Sequence, residues 1–332
     1  MDADGLIEFE RHRPRLFALA YRMLGSASEA EDVVQEAYLR WDLSARAEIR
    51  SAEAWLTTVL VNLCRTWLDS ARARRGTYAG PWLPEPIQTA RGELGPLESA
   101  EQRELVSTAV LTLLERLTPA ERSVFVLREA FGYAHREIAD MLDFTEANSQ
   151  QLYRRATRHV HHDRPRFEPA PSQARAFFEK FLAAAQSGDV AGLEAMFTAD
   201  IVAIADGGGK IATADGGGEF TTADGGGEFT TADGGGKNTT ADGGGECTAD
   251  RRPIEGATRV ARYLVGLFAR DLPGLTVTID EVNAALAFVA RVNDTPIAVV
   301  SADLTATGIS ALRLVLNPDK LEFFIRADKA TR

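Results

Sequence analysis

The stretch LTPAERSVFVLREAFGYAHREIADMLDFTEANSQQLYRRATRHV, residues 117–160, decides how the chain is read. Its opening Thr118-Pro119-Ala120-Glu121 combines an N-cap, a proline at the first helical position and a glutamate three residues on, which predicts a helix start. Val124, Phe125 and Leu127 carry that helix to a turn at Gly132. A short helix is predicted from about Ala134 to Leu142, then a tight turn at Asp143-Phe144, then a helix capped by Thr145 and running to about Val160. Helix, tight turn, helix is the geometry that lays one helix across a nucleic-acid backbone and the next in the major groove. On that second helix Asn148, Gln150, Gln151, Arg154 and Arg155 carry amides and guanidiniums able to read base edges or hold phosphates. Plain helical packing produces the same three-helix pattern, so the stretch alone leaves both readings open.

Upstream, apolar residues from Leu6 to Leu24 follow helical spacing and stop at Gly25. Ser28-Glu29-Ala30-Glu31 reads as a capping box opening a second helix. That helix buries Val33, Val34, Ala37, Tyr38 and Trp41 and turns Asp32, Gln35, Glu36 and Arg40 outward. Ser51 can cap a third helix, in which Trp55, Val59, Leu63 and Trp67 repeat at i+4. Thr58, Asn62, Arg65, Asp69 and Arg72 form a polar stripe on another face, either simply solvated or a binding surface. Residues 77–96, rich in proline and glycine, read as a linker, yet Trp82, Leu83 and Ile87 are large apolar groups that a free linker has no reason to expose. YAGPWLPEPI is therefore expected to dock.

Helical spacing resumes from Leu105 to near Leu117. Beyond Pro169 come an amphipathic helix (Ala174 to Ala185), a short helix to Phe197, the helix GATRVARYLVGLFAR, and four strand runs in the manner of an antiparallel meander: LTVTIDEVN, ALAFVARVN, PIAVVSADLT and ISALRLVLN. Helices on one curved antiparallel sheet make an α+β domain. A tandem array interrupts it, with Asp206, Asp215, Asp224, Asp233 and Asp242 at a period of nine. Calcium-binding β-rolls need GGxGxD and an aliphatic residue inward at each turn. Here those positions hold Ile211, Phe220, Phe229, Asn238 and Cys247, so the array (205–249) is expected to be a flexible duplicated loop.

At 332 residues the chain suggests two or three domains. Its net charge of −11 argues against tight free-standing DNA binding, because Lys and Arg supply nearly all non-specific affinity; another subunit would have to bring it to the duplex. Cys64 and Cys247 belong to no ligand cluster, and no metal or cofactor is expected. No apolar stretch approaches the eighteen residues of a membrane span, and a cytoplasmic protein with no membrane partner is expected. All five histidines precede the C-terminal region, which excludes a histidine-based dyad there, and no catalytic role is expected.

AEDVVQEAYLRW followed by AWLTTVLVNLCRTWLDSARARR resembles the second domain of extracytoplasmic-function sigma factors, and residues 117–160 resemble their fourth. YAGPWLPEPI, DGGGK and NPDKL look like marks of the subgroup that carries a fused SnoaL-like domain of the nuclear-transport-factor-two fold. The resemblance implies domains at 1–76 and 101–163, a linker at 77–100 and a SnoaL-like cone at 170–332. It implies that Asp32, Gln35 and Glu36 face the clamp helices of core RNA polymerase. Asn62, Arg65, Thr66, Asp69 and Arg72 would lie along the minus-ten element of promoter DNA, and the helix-turn-helix would read the minus-thirty-five element. Two departures stand out: Asp143 occupies a turn position where many relatives carry glycine, and Gln150 replaces a common basic residue. The fused domain would tune activity through Trp82, Leu83, Ile87, Asp206, Gly207, Gly208, Gly209, Lys210, Asn317, Pro318, Asp319, Lys320 and Leu321. A small apolar ligand in the C-terminal domain is a possible further partner. The alternative is a helix-turn-helix regulator that senses a small molecule through the C-terminal cone.

Overall fold

The computed structural model describes residues 3–75, 78, 80–89, 94, 100–162, 171–208, 253–269 and 272–329. All of the repeat array beyond Gly208 falls outside them, as do Gly209 and Lys210. The chain divides into two compact units, one of residues 1–76, 87–164 and 283–285, the other of residues 77–86, 165–282 and 286–332.

The first unit is helical. α1 (Ala3–Leu24) ends at Gly25, whose φ of 69° is the left-handed stop glycine tolerates best. α2 (Ala27–Asp42) follows at once, capped by Ser26, which accepts from the Glu29 amide at 3.1 Å. The cap is thus two residues earlier than the predicted Ser28. α3 (Ala52–Arg75) starts where Ser51 accepts from the Ala54 amide, and packs with α1 and α2 around Leu16, Leu19, Val33, Leu56 and Leu60. Each such leucine contributes roughly 1.5–3 kcal/mol by leaving water.

The run predicted as one helix from Leu105 to Leu117 is helical only over residues 108–114, and a short helix that was not foreseen precedes it. α4 (Ala100–Glu104) stops and α5 (Thr108–Leu114) restarts at Ser107, whose hydroxyl accepts from the Val110 amide. A local serine cap competes here with continued helix, and periodicity alone does not reveal the break. α6 (Pro119–Glu129) carries the expected capping box, with Glu121 N donating to Thr118 Oγ1 at 3.2 Å and Thr118 N to Glu121 Oε2 at 3.0 Å. α7 (His135–Leu142) ends at Asp143 in the left-handed region (φ 55°, ψ 49°), and α8 (Glu146–His162) completes the helix-turn-helix. A short polar side chain makes that conformation tolerable without glycine.

The second unit begins with α9 (Pro171–Ser187) and α10 (Val190–Glu194); Phe197, expected to end a helix, instead opens strand β1 (Phe197–Asp206). β2 (Ile254–Glu255), α11 (Ala257–Phe268), β3 (Leu275–Val282), β4 (Ala285–Val292), β5 (Thr295–Thr305), β6 (Gly308–Val315) and α12 (Pro318–Lys329) complete it. The sheet order is β2-β1-β6-β5-β4-β3. The four meander strands are as expected, but the sheet is mixed rather than wholly antiparallel, because β1 runs parallel to β6 (Ala203 opposite Leu312). β1 is far from β6 in sequence, so no hairpin dictates its direction.

Strand alternation sorts the side chains onto two faces. Phe288, Ala298, Leu312 and Leu314 join Phe178 and Phe181 of α9 and Leu264 of α11 on one face. Val289, Val299 and Val315 meet Leu321 and Phe324 of α12, together with Leu83, on the other.

Candidate functional site

The outward positions of α2 and α3 meet at one groove in the helical unit. Asp32, Glu36 and Arg40 from α2 and Asn62, Leu63, Thr66 and Trp67 from α3 line a recess of about 430 Å³. The two sets predicted separately, Asp32 with Glu36 and Asn62 with Thr66, therefore face a shared space. Glu36 is bridged to Arg40 at 3.1 Å, an exposed i,i+4 pair. Gln35 is exposed beside them, and Leu39, 49% exposed, and Leu43, 87% exposed, continue the same side of α2. Apolar side chains so open to water, next to carboxylates, mark a surface suited to burial against another molecule. Sequence reasoning passed over both leucines; their phase, seven and eleven residues after Asp32, was the available signal.

Along α3 the polar side chains are held by their own helix. Asn62 Nδ2 donates to the Thr58 carbonyl (3.0 Å), Thr66 Oγ1 to the Asn62 carbonyl (3.1 Å), and Arg65 Nη1 to Asn62 Oδ1 (3.4 Å). Asn62, Thr66 and Asp69 are exposed. The Arg65 guanidinium also lies 5.2 Å from the centre of the Phe144 ring, in the turn between α7 and α8. The side chain of Arg72 lies outside the described residues.

In the helix-turn-helix, Asn148, Gln151, Arg154 and Arg155 are exposed along α8, while Ser149 and Ala156 are buried. Gln150 is half-buried and reaches Glu146 at 3.5 Å. Thr145 caps the helix through the Asn148 amide (3.2 Å). His135 sits against Ser149 (3.0 Å), and its pKa is held below the usual imidazole value by burial and by the nearby Arg128.

Two buried guanidiniums, missed in the sequence, brace this unit. Arg122 of α6 is 1% exposed and Arg22 of α1 is 3% exposed. Arg122 donates to the Arg22 carbonyl (3.3 Å) and to the Glu115 carboxylate; Arg22 donates to the Ala18 carbonyl (3.0 Å). Nearby, Arg15 donates to Tyr133 Oη (3.0 Å) and lies over the Phe131 ring at 5.0 Å.

The sheet unit holds a second constellation. Asp206, at the end of β1, is fully buried and accepts four hydrogen bonds. Its Oδ1 takes Tyr78 Oη (2.5 Å) and the Gly208 amide (3.1 Å); its Oδ2 takes the Leu83 amide (2.8 Å) and Lys320 Nζ (2.7 Å). Lys320 also donates to the Leu83 carbonyl and lies 4.0 Å from the centre of the Trp82 ring. Asn317 Nδ2 donates to Tyr78 Oη at 3.0 Å, and Asn317 Oδ1 accepts from the Asp319 amide at 3.1 Å. Gly208 has φ +63°, and a Cβ on it would stand 2.3 Å from Asn317 Nδ2, so only glycine fits. Gly207 and Leu321 are buried, Pro318 is half-buried and Asp319 is exposed. Tyr78, which sequence reasoning left out, is central: burial and the Asp206 charge push its hydroxyl well above the ordinary tyrosine pKa.

Of the linker residues, Trp82 and Leu83 belong to the sheet unit and Ile87 to the helical one. Leu83 and Ile87 are both fully buried. Within the helical unit Asn283, at φ 53°, accepts from the Ile87 amide (3.2 Å) and donates to Tyr21 Oη (2.6 Å) and the Val106 carbonyl (2.8 Å). No sequence signal beyond a turn at an Asn-Ala pair pointed to it. Among the described residues no cluster of His, Cys, Asp or Glu is arranged to hold a metal, and no helix is long and apolar enough to cross a membrane.

Comparison with known proteins bears on these surfaces. Residues 9–74 match the model of Sigma-70 region 2 and residues 107–160 that of Sigma-70, region 4. The chain is 33% identical over 269 residues to the ECF RNA polymerase sigma factor SigJ of Mycobacterium tuberculosis H37Rv, covering 81% of this chain and 74% of that protein. It is 34% identical over 179 residues to the probable ECF sigma factor SigI of the same strain, covering 54% and 62% of the two chains. Its fold matches the crystal structure of Mycobacterium tuberculosis SigJ with a TM-score of 0.67 at 28% identity, over 95% of this chain and 98% of that one. The helix-turn-helix, the α2–α3 groove and the full-length likeness to SigJ agree: this chain belongs to the extracytoplasmic-function RNA polymerase sigma factors, which direct promoter recognition and transcription initiation.

Proposed function

We propose that Asp32, Gln35 and Glu36, extended by Leu39 and Leu43, form the surface that engages core RNA polymerase in the cytoplasm. Asn62, Arg65, Thr66, Asp69 and Arg72 then serve the minus-ten element, and Asn148, Gln150, Gln151, Arg154 and Arg155 the minus-thirty-five element. Residues 1–76 act as sigma domain two, 101–163 as domain four and 170–332 as a regulatory domain joined by the 77–100 linker. The protein works by binding and not by turnover. The observation that carries the reading is the α2–α3 groove, where acidic and amide side chains converge on one recess. Acidic groups suit a basic protein surface, and amides and threonine hydroxyls suit unstacked bases.

The test is promoter-directed transcription with purified core enzyme. Asp32→Lys with Glu36→Lys should lower core affinity in a pull-down, whereas Asn62→Ala with Thr66→Ala should spare core binding and impair promoter opening. Unchanged core binding in the first variant would remove the α2 assignment.

The C-terminal unit modulates promoter use through the Asp206, Asn317 and Lys320 constellation and the linker residues Trp82, Leu83 and Ile87, with Gly207, Gly208, Gly209, Lys210, Pro318, Asp319 and Leu321 shaping it. A small apolar molecule bound in that unit supplies a signal. Asp206→Ala in the full chain should change transcript yield while core binding persists; identical transcription would refute the regulatory role.

A further inference from the structure

The face of the sheet that packs against α9 and α11 is not completely filled. A cavity of about 90 Å³ lies between α9, α11 and the sheet, and every side chain lining it is Phe, Leu, Ile, Val or Ala. The void has a local cause. Ala290 of β4 and Ala298 of β5 stand opposite each other in the ladder, and both turn toward the cavity. Two alanines paired across a sheet leave room that a leucine at either position would take, on a face where Phe288, Leu314 and Leu316 otherwise pack tightly. Protein interiors are close-packed and hold few voids of this size.

The floor is buried, with Leu314 1% and Leu264 3% exposed, while Leu267, Phe268, Leu272 and Ile297 form a half-exposed rim. Buried floor and open apolar rim describe an entrance. A protein partner needs a face burying about 1,000 Å² or more, whereas this is a small recess among the side chains of α9, α11 and the sheet. Its size is of the order of the engineered apolar cavities that stay dry and take up a single aromatic ring.

We propose that this cavity binds a neutral, unfunctionalised apolar molecule of about one ring, aromatic or alicyclic, with no hydrogen-bonding group inside the pit. No lining side chain carries a nitrogen or oxygen, so a buried hydroxyl or carboxylate on the ligand would be unpaired, and unpaired burial is strongly disfavoured. For the same reason the pit holds its occupant without proton transfer. The proposal rests on the ligand-binding part of the reading above and names its chemical class.

Binding is measured on the full chain without polymerase, so its failure is distinct from failure of the transcriptional assignments. Toluene and n-butylbenzene serve as probes and benzoate as the charged counterpart, followed by methyl NMR and thermal melting. Toluene should shift the methyls of Leu264, Val300 and Leu314 and raise the melting temperature by about 2–4 °C near saturation. Benzoate should bind at least tenfold more weakly. Ala290→Leu should fill the pit and abolish the shifts while the protein still melts cooperatively. Val300→Thr, which keeps the shape and adds a hydroxyl, should weaken toluene several-fold if the leucine variant does not fold. Absence of binding by both hydrocarbons up to their solubility would overturn the proposal. So would equal binding by the Ala290→Leu variant, or contacts from the lining methyls to another segment of the chain filling the pit.

Discussion

Replacing Asp206 with alanine would remove a carboxylate that is fully buried and accepts from Tyr78 Oη, Lys320 Nζ and the amides of Leu83 and Gly208. The Lys320 ammonium, with its side chain 7% exposed, would lose its carboxylate while still meeting the Leu83 carbonyl and the faces of Trp82 and Tyr78. Breaking one side of a buried ion pair costs about 3–5 kcal/mol, mostly from the charge left behind. Lys320→Met should be milder, about 1–3 kcal/mol, since Asp206 keeps three of its four donors. The double variant therefore separates the causes. If loss of the ion-pair charge dominates, Asp206→Ala with Lys320→Met should be more stable than Asp206→Ala alone, although it carries one more substitution. Urea unfolding of the full chain, followed by circular dichroism and by tryptophan fluorescence, reads all three. With total stabilities of about 5–15 kcal/mol, a loss of this size would move the midpoint plainly. A double variant as unstable as the sum of the two singles, or an Asp206→Ala protein within about 1 kcal/mol of the parent, would refute the reasoning.

Gly208→Ala places a Cβ against the Asn317 amide at a positive φ, and should destabilise by about 2 kcal/mol or more in the same urea series. Because burial and the Asp206 charge raise the Tyr78 pKa in the fold, the unfolded chain ionises first as pH passes about 10. It then binds fewer protons than the folded chain, so stability falls with rising pH; Tyr78→Phe should flatten that fall in alkaline urea titrations, and an unaltered slope would exclude Tyr78 as its source. Deleting Ile211 to Glu246 shortens the connection between β1 and β2 from roughly 47 to roughly 11 residues. The loop-entropy gain is about 1 kcal/mol, so calorimetry should show a melting temperature up by about 2–4 °C, and a fall would show that the array contributes contacts.

How much of this was legible in the sequence depends on whether one local rule applied or two competed. The Thr118 box had no rival and was read correctly, as was the turn at Asp143, where a short polar side chain takes a left-handed conformation. Ser26 and Ser28 each precede a glutamate by three residues, so the capping rule fits both. Gly25, closing α1 in the left-handed region, settles the contest for Ser26, and that demands knowing where the previous helix ends. α12 is absent from the sequence reading, where NPDKL serves only as a motif, although its opening proline and the spacing of Leu321 and Phe324 announce a helix. Contacts that join distant residues were beyond local rules altogether. Tyr78 meets Asp206 and Asn317 only after β1 pairs with β6, which no hairpin forces. The cavity is the sharpest case. Alternation along β4 and β5 tells which residues share a face, but a slip of two residues keeps every side chain on its face while setting Ala290 opposite a larger neighbour. Ile297 breaks the simple alternation by lining the same space as Ala298, and the ladder shifts register between Ala290 and Arg291. The void depends on that register, so it enters with the paired strands and not with either strand's sequence.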